Sequence, residues 1–266
     1  MTFRNDPEWV LGEGPHSDVV ISTRARLARS LAAYPFPSRC WGEDSNMVVN
    51  EVREASTGLT ARFPGLKTIS IDTLDEDKKQ YLLNAHLISH EQANERPGSA
   101  VLLEPGGVLS IMVNEEDHLR IQVLMSGLVT KQAWELADWV DDVLSEKLKY
   151  GFSAKYGYLT ASVSNVGTGL RVSAMMHLAG LAAKNRVMRQ LKAAYDLGVS
   201  IRGLYGEGSR SVGDFFQVSN EATLGLDEED IVQRVSSVTQ YLLTEERIAR
   251  NELLTDQKGQ LIDRAH

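Results

Sequence analysis

Three short apolar runs succeed one another between residues 100 and 125, and they constrain the fold more than any other stretch. Residues 100–104 and 108–113 flank a Pro-Gly-Gly turn, an arrangement typical of a β-hairpin. Residues 118–125 then alternate between apolar and polar side chains, and this period of two predicts a third strand with two distinct faces. Strands joined by such short turns predict an antiparallel sheet.

Helical patterns lie before and after this region. Residues 44–62, 75–89 and 130–149 predict helices, the last with apolar residues at three- and four-residue spacing. Asp227 is expected to cap a long final helix. Because helices cluster on either side of the strand region, the sequence predicts the α+β class, with an antiparallel sheet flanked by helices.

Two further helices are predicted beside arginine residues. A strand over residues 18–23 is expected to give way to a short helix over residues 26–31. The small-residue loop at 162–171 is expected to lead into a helix rich in Met and Ala. Short strands are expected at residues 68–72, 199–205 and 214–219.

Length, composition and net charge limit the classes of protein to which the chain can belong. A chain of 266 residues with 42% hydrophobic residues can bury a substantial core. We divide it into a short leader without structure of its own (1–18) and a single domain (19–266). The net charge of −8 argues against nucleic-acid binding. No apolar run is long enough to span a bilayer and the single cysteine, Cys40, suits a reducing compartment, so we expect a cytoplasmic protein without membrane contact.

The stretch at 114–120 carries the densest chemistry, with three acids, a histidine and an arginine directly after an apolar run. If the extended conformation begins by Glu116, the side chains of Glu116, His118 and Arg120 share one polar face. A carboxylate and a guanidinium on a rigid strand would form a site for a charged substrate. The alternative is a solvated turn between edge strands, because runs of charge usually lie on the surface.

Five arginines lie at element edges near glycine or small polar residues: Arg24, Arg26, Arg120, Arg171 and Arg202. Each guanidinium is planar, permanently charged and able to bind phosphate oxygens through two hydrogen bonds. The sequence contains no P-loop motif, and a cluster of these arginines could hold a triphosphate without one, with Mg²⁺ carried by the nucleotide. Taken singly, each of them is typical of a protein surface.

Four separated motifs occur in an order that resembles one known family. They are Ser22-Thr23-Arg24-Ala25-Arg26, residues 114–120, Asn165-Val166-Gly167-Thr168-Gly169-Leu170-Arg171 and Arg202-Gly203-Leu204-Tyr205-Gly206-Glu207. Together they resemble the catalytic domain of the phosphagen (guanidino) kinases over residues 10–256. Within that superfamily the chain is most similar to bacterial protein-arginine kinases, because it starts almost directly at the catalytic domain, without a preceding helical domain.

The resemblance implies an ATP-dependent kinase whose fold is an antiparallel sheet flanked by helices. It implies that Glu116 and Glu207 are catalytic, and that Glu116, Ser162 and Glu207 bind the substrate guanidinium. No protein-bound metal is implied, since Mg²⁺ would arrive with ATP. The implied ATP-binding residues are Ser22, Thr23, Arg24, Ala25, Arg26, His86, Arg120, Arg171, Val172, Ser173, Ala174, Met175, Arg202, Gly203, Leu204, Tyr205, Gly206 and Glu207.

The chemistry of the acceptor explains why two carboxylates are expected. A guanidinium has a pKa above 12, so making it neutral at pH 7 costs about 7 kcal/mol. Two carboxylates can hold its planar fork and accept a proton as the N–P bond forms. Arginines would stabilise the phosphoryl group in transit. One glutamate would orient the acceptor and the other would act as the base, and the sequence leaves open which does which.

Two departures from the family pattern bear on activity. Ser162 stands where the family usually has a cysteine, and a serine is not a thiolate at neutral pH. We also expect the chain to lack, through truncation or by nature, the C-terminal domain with which protein-arginine kinases bind phosphoarginine, so control by phosphoarginine is expected to be weak or absent.

The expected function is ATP-dependent phosphorylation of arginine side chains in proteins. A kinase for free arginine or another small guanidine is an alternative with the same chemistry. Ser162 favours a second alternative, an ATP-binding regulatory module with weak turnover. The expected partners are proteins with exposed arginines, and homodimer formation is an additional hypothesis.

Overall fold

An antiparallel sheet of eight strands forms the centre of the computed structural model, which describes residues 6–94, 97–203 and 213–256. The strands in the described ranges are β1 (Val20–Arg29), β2 (Lys67–Ser70), β3 (Ala100–Leu103), β4 (Leu109–Val113), β5 (Leu119–Ser126), β6 (Phe152–Ser153), β7 (Gly157–Tyr158), β8 (Leu170–His177), β9 (Val199–Gly203) and β10 (Phe215–Asn220). The order across the sheet is β2-β3-β4-β5-β1-β8-β10-β9, and β6 pairs with β7 as a separate hairpin.

The helices in the same ranges are α1 (Glu43–Ala55), α2 (Glu76–Asn84), α3 (His90–Ala93), α4 (Thr130–Ser145), α5 (Ala179–Ala183), α6 (Val187–Tyr195) and α7 (Glu228–Asp256). The side-chain carboxylate of Asp227 accepts a hydrogen bond from the backbone N–H of Asp230, so the predicted cap of the last helix is confirmed. The predicted α+β class, an antiparallel sheet flanked by helices, is also confirmed. None of the described helices combines the length and apolar character needed to cross a bilayer.

β1 lies at the centre of the sheet, because β5 pairs with one of its edges and β8 with the other. Thr23, Ala25 and Leu27 are fully buried, and the latter two belong to the main core with apolar residues of α4 and α7. The side chains of Ser22, Arg24 and Arg26 alternate with them and therefore leave the sheet on the opposite face. We call this opposite side the arginine face.

The hairpin predicted from residues 100–113 is confirmed. The backbone N–H of Glu104 donates to the carbonyl of Leu109, and the Glu104 carboxylate accepts from the N–H groups of Gly106 and Val108. The carboxylate thus satisfies backbone donors that the tight turn leaves without partners.

Helix α2 packs on the arginine face, over strands β3 and β4. It forms a small cluster with them that includes Leu82, Val101 and Met112.

Two predicted helices are wrong. Residues 26–29 continue β1, and residues 171–177 belong to β8. In β8 the buried Val172, Ala174 and Met176 alternate with residues of the arginine face, which is a strand period in spite of the helix-favouring Met and Ala. Strand pairing on both edges outweighs local propensity at the centre of a sheet.

Two segments near the start of the chain also differ from expectation. Helix α2 ends at Asn84, so His86 lies beyond it and adopts a left-handed backbone conformation with φ of 57°. The segment before β1 is not without structure, because Glu8–Val10 forms a 3₁₀ turn and Glu8 donates its N–H to the carbonyl of Gly106. Both differences place residues beside the arginine face.

Candidate active site

Strand register brings the predicted arginines onto one face of the sheet. Arg26 lies directly opposite Arg171 in β8, and Arg120 in β5 lies opposite Ala28, two residues along β1 from Arg26. Residues paired across an antiparallel ladder point to the same side, as do residues two apart on one strand. The side chains of Arg24, Arg26, Arg120 and Arg171 therefore share the arginine face.

Arg202 joins the same face at its outer side. It lies opposite Gln217 in β10, and Gln217 lies opposite Met175 in β8. Met175 and Arg171 are four residues apart on β8, so their side chains point the same way. The positive charges of Arg202 and Arg120 help to lower the pKa of Arg171, after burial as the first cause.

The inner arginines are half-buried cations without ion pairs to described residues. Burial, followed by the charges of Arg120 and Arg171, lowers the pKa of Arg24 to about 10. Burial also lowers the pKa of Arg26, and the charge of Arg24 adds to the effect. The Nε–H groups of Arg26 and Arg171 are buried without a hydrogen-bond partner, and no ion pair joins Arg24, Arg26 or Arg171 to a described residue. Because an uncompensated buried charge is costly, this cluster is suited to an anionic ligand.

A small pocket lies next to the cluster on the same face. Its lining is Ser22, Arg24, His86, Leu124, Ser173, Met175 and Gln217. The His86 carbonyl accepts a hydrogen bond of 2.6 Å from Nε2 of Gln122. Burial lowers the pKa of His86, and the charge of Arg24 adds to this, so its imidazole is neutral at pH 7. A small, partly apolar pocket therefore adjoins the cationic cluster, and Arg24 belongs to both.

Glu115 and Glu116 differ in their surroundings. Glu115 is 4% exposed, and its carboxylate receives hydrogen bonds from the Ser89 hydroxyl and the Glu116 N–H and an ion pair of 2.9 Å from Arg120. The Glu116 side chain is 45% exposed and lies 3.7 Å from Arg120. Partial burial and the neighbouring Asp117 raise the pKa of Glu116. Glu116 is therefore the more accessible carboxylate of the two.

Ser162 lies beside Glu116. Its hydroxyl contacts that of Ser164 at 2.9 Å, and a hydrogen bond from Ser162 opposes the rise in the pKa of Glu116. Asp117 holds this loop in place, because its buried carboxylate accepts from the N–H of Ala161 at 2.6 Å and from the hydroxyl of Ser30 at 2.8 Å. The structure thus brings together two of the residues predicted to bind the substrate guanidinium.

His118 does not share the polar face with Glu116 and Arg120, contrary to expectation. It is fully buried, its Nδ1 accepts from the N–H of Leu31 at 3.0 Å, and its Nε2 therefore carries the proton toward the carbonyl of Pro35. β5 begins only at Leu119, so the chain bends before the strand and the assumed alternation does not apply. His118 is a packed residue that anchors the chain beyond β1.

Several other predicted site residues face elsewhere. The side chains of Thr23, Ala25, Val172 and Ala174 are fully buried in the helix-facing core, so they position the arginines rather than offering side-chain contacts. Gly203 closes β9. Leu204, Tyr205, Gly206 and Glu207 lie outside the described residues.

Within the described ranges, no group of three His, Cys, Asp or Glu side chains is placed to hold a metal ion.

The sequence interpretation missed residues that shape the same site. Leu124 and Gln217 line the pocket, and period-two alternation from Arg120 and register with β8 place them there. Asp117 belongs to the charged stretch at 114–120 but acts through the loop that it holds. Trp9 lies in the supposed leader and contacts His86. No local sequence pattern marks Trp9.

Comparison with known proteins agrees with this geometry. Residues 47–249 match the family described as ATP:guanido phosphotransferase, C-terminal catalytic domain. A protein-arginine kinase of Halothermothrix orenii is 43% identical over 263 residues, which cover 99% of this chain and 75% of that protein. The resemblance drawn from the four motifs is confirmed.

Two solved structures show the same fold. The duplicated taurocyamine kinase of Schistosoma mansoni with bound transition state analog components aligns with a TM-score of 0.79 at 23% identity, over 97% of this chain and 36% of that one. Lombricine kinase aligns with a TM-score of 0.78 at 23% identity, over 94% of this chain and 73% of that one. The chain belongs to the ATP:guanido phosphotransferase family.

Proposed function

We propose that the chain phosphorylates arginine side chains in proteins, with ATP and Mg²⁺ as the phosphoryl donor. The observation that carries this proposal is the convergence of four guanidinium side chains and the Glu116 carboxylate on one face of the sheet. The 43% identity to a protein-arginine kinase supports the choice of acceptor. The single cysteine and the need for ATP favour a cytoplasmic location.

The arginine cluster is proposed to bind the triphosphate. Arg24, Arg26 and Arg171 form no ion pair with a described residue, so phosphate oxygens would take the role of their partners. As the γ-phosphoryl group leaves ADP, negative charge spreads over its oxygens, and fixed guanidinium groups stabilise that charge without reorganising. Mg²⁺, bound to the phosphates of the nucleotide, supplies further charge neutralisation. The nucleoside would lie against His86 and the other residues that line the adjacent small pocket.

Glu116 is proposed to prepare the acceptor. The target guanidinium must lose a proton as its nitrogen bonds to the γ-phosphorus, while the bond from that phosphorus to the β–γ bridging oxygen breaks and ADP departs. Glu116 would take the proton, because partial burial and Asp117 raise its pKa while leaving it accessible. Glu207 would supply the second carboxylate, and Ser162 would hydrogen-bond to Glu116 or the acceptor.

A protein acceptor is favoured over a small one by the exposure of Glu116. A kinase for free arginine remains the rival with the same chemistry. An ATP-binding module with weak turnover is the rival from a different class, and Ser162 motivates it because a serine hydroxyl cannot act as a thiolate. Self-association into a homodimer stays a prediction.

Acceptor choice is the test of the proposed function. The protein is incubated with Mg-ATP and either an arginine-rich basic protein or free arginine, and acid-labile N-phosphate is quantified. Phosphate on the protein acceptor supports the proposal, whereas transfer to free arginine alone would establish the small-guanidine kinase. ATP binding without transfer to either acceptor, followed by activity in Ser162→Cys, would establish the weakened module.

A further inference from the structure

Residues 7–10 are tied to three parts of the fold, and Trp9 among them contacts His86, which lines the candidate nucleotide pocket. The N–H of Glu8 donates to the carbonyl of Gly106 in the β3–β4 turn, and the Glu8 carboxylate accepts from the N–H of Ser126 at the end of β5. The indole Nε1–H of Trp9 donates to the carbonyl of Ala85 at 3.1 Å. These bonds fix the segment beside His86, which lines the pocket.

That residue, His86, is held in an unfavourable conformation. Its φ of 57° lies in the left-handed region, which costs a non-glycine residue about 1–2 kcal/mol. Neighbouring groups must therefore hold it in place. Gln122 binds its carbonyl, Trp9 binds the carbonyl of the preceding Ala85, and the ring of Trp9 lies against the imidazole with centroids 5.4 Å apart.

We propose that Trp9 is a positioning residue that holds His86 as the wall of the nucleoside pocket. The inference rests on the proposed function, since it assumes that the pocket receives the nucleoside of ATP. The triphosphate site depends on strands β1, β5 and β8, whose ladders set the arginines independently of Trp9. Loss of Trp9 therefore weakens recognition of the nucleoside and leaves recognition of the phosphates intact.

The experiment compares ATP with inorganic tripolyphosphate, which carries the charge but no nucleoside. Dissociation constants for both are measured by calorimetry on wild type, Trp9→Ala and Trp9→Phe, with Trp41→Phe, an exposed tryptophan, as control. Trp9→Ala should weaken ATP binding about three- to tenfold and leave tripolyphosphate unchanged. Trp9→Phe, which retains a ring against His86, should show a smaller loss. In turnover, the KM for ATP should rise with kcat unchanged.

A double-mutant cycle with His86→Ala shows whether Trp9 acts through His86. In the His86→Ala background, Trp9→Phe should add no further loss of ATP affinity, and full additivity would overturn the inference. Equal ATP affinity in Trp9→Ala and wild type, or an equal loss of tripolyphosphate binding, would also overturn it. Wild type that binds ATP but transfers no phosphate would contradict the proposed function alone. Failure of wild type to bind ATP would contradict both.

Discussion

Arg26 and Arg29 lie three residues apart on the same strand and have opposite environments. Arg29 is 1% exposed, and its Nε and Nη2 bind Oδ2 of Asp141 at 2.8 and 2.7 Å. Its Nη1 donates to the carbonyls of Ala28 and Thr168, and its guanidinium lies 3.6 Å from the ring centroid of Tyr158. Arg26 has no ion pair to a described residue, and its Nε–H has no partner.

The strand period explains the contrast. An odd separation places Arg29 on the helix-facing side, where α4 provides Asp141, and leaves Arg26 on the arginine face. Arg29 is buried and has a carboxylate and two carbonyls as partners within the fold, whereas the half-buried Arg26 lacks such partners and is available to a ligand. The comparison separates a structural arginine from one that is available for function.

The largest expected effect is the loss of stability when Arg29, the arginine with partners inside the fold, is replaced. Arg29→Met removes the partner of Asp141, whose pKa burial already raises, and leaves that carboxylate buried and unpaired. We expect a loss of about 3–5 kcal/mol in the free energy of unfolding, measured in urea. Lys131→Met, which removes only an exposed pair with Glu135, serves as control and should change stability by less than about 1 kcal/mol. A comparably small change in Arg29→Met would break the comparison.

Arg26→Met tests the arginine that is available for phosphate binding. Activity with ATP should fall about 10²- to 10³-fold, because a fixed charge near the transferring phosphoryl group is lost. The free energy of unfolding should stay the same or increase, since a half-buried cation with no ion pair to a described residue is removed. Steady-state kinetics and urea unfolding on one preparation check both statements. A large loss of stability would show that Arg26 is structural.

Anion binding sharpens the contrast further. Tripolyphosphate at 100 times its dissociation constant should stabilise wild type by about 2.7 kcal/mol. Arg26→Met should lose most of this gain at the same ligand concentration, while Lys131→Met should keep it. Thermal unfolding with and without ligand gives the measurement. A gain that is equal in Arg26→Met and wild type would place the anion elsewhere.

The smallest expected effect concerns pH. Burial lowers the pKa of His118 below 6.5, so the folded state favours the neutral ring that accepts from Leu31. The neutral imidazole of His118 contributes its full stabilisation above pH 6.5. This stabilisation is lost as the pH falls from 6.5 toward the folded-state pKa, by at most about 1.4 kcal/mol per pH unit. His118→Asn should make urea unfolding less dependent on pH in this range. An unchanged dependence would show that another group, such as His86, dominates.

The sequence predicted those parts of the fold whose signals are local. The hairpin at 100–113 has its turn residues within the stretch, and α4 has an uninterrupted apolar spacing. Residues 26–29 and 171–177 were predicted wrongly because their strand state depends on distant partners in β5 and β8. Helix-favouring composition gives the opposite signal when only the local segment is considered.

The site could be predicted only in part for the same reason. Spacing places Arg24 and Arg26 on one face, but the register that sets Arg26 against Arg171 is a property of the sheet. The position of Arg120, Arg171 and Arg202 at element edges singled them out, but their convergence was implied only by the resemblance of the ordered motifs. The burial of Glu115 and the contact of Trp9 with His86 depend on packing between distant segments, which no single stretch encodes.

The most direct test of the account is the amount of phosphoarginine formed from ATP on a basic protein, measured by mass spectrometry for wild type, Glu116→Gln and Glu135→Gln. Wild type and Glu135→Gln, which alters an exposed residue of α4, should give equal yields. Glu116→Gln should be slower by about 10²- to 10⁴-fold, because the proton acceptor is lost. Equal phosphorylation by Glu116→Gln and wild type, or none by wild type with ATP bound, would contradict the account.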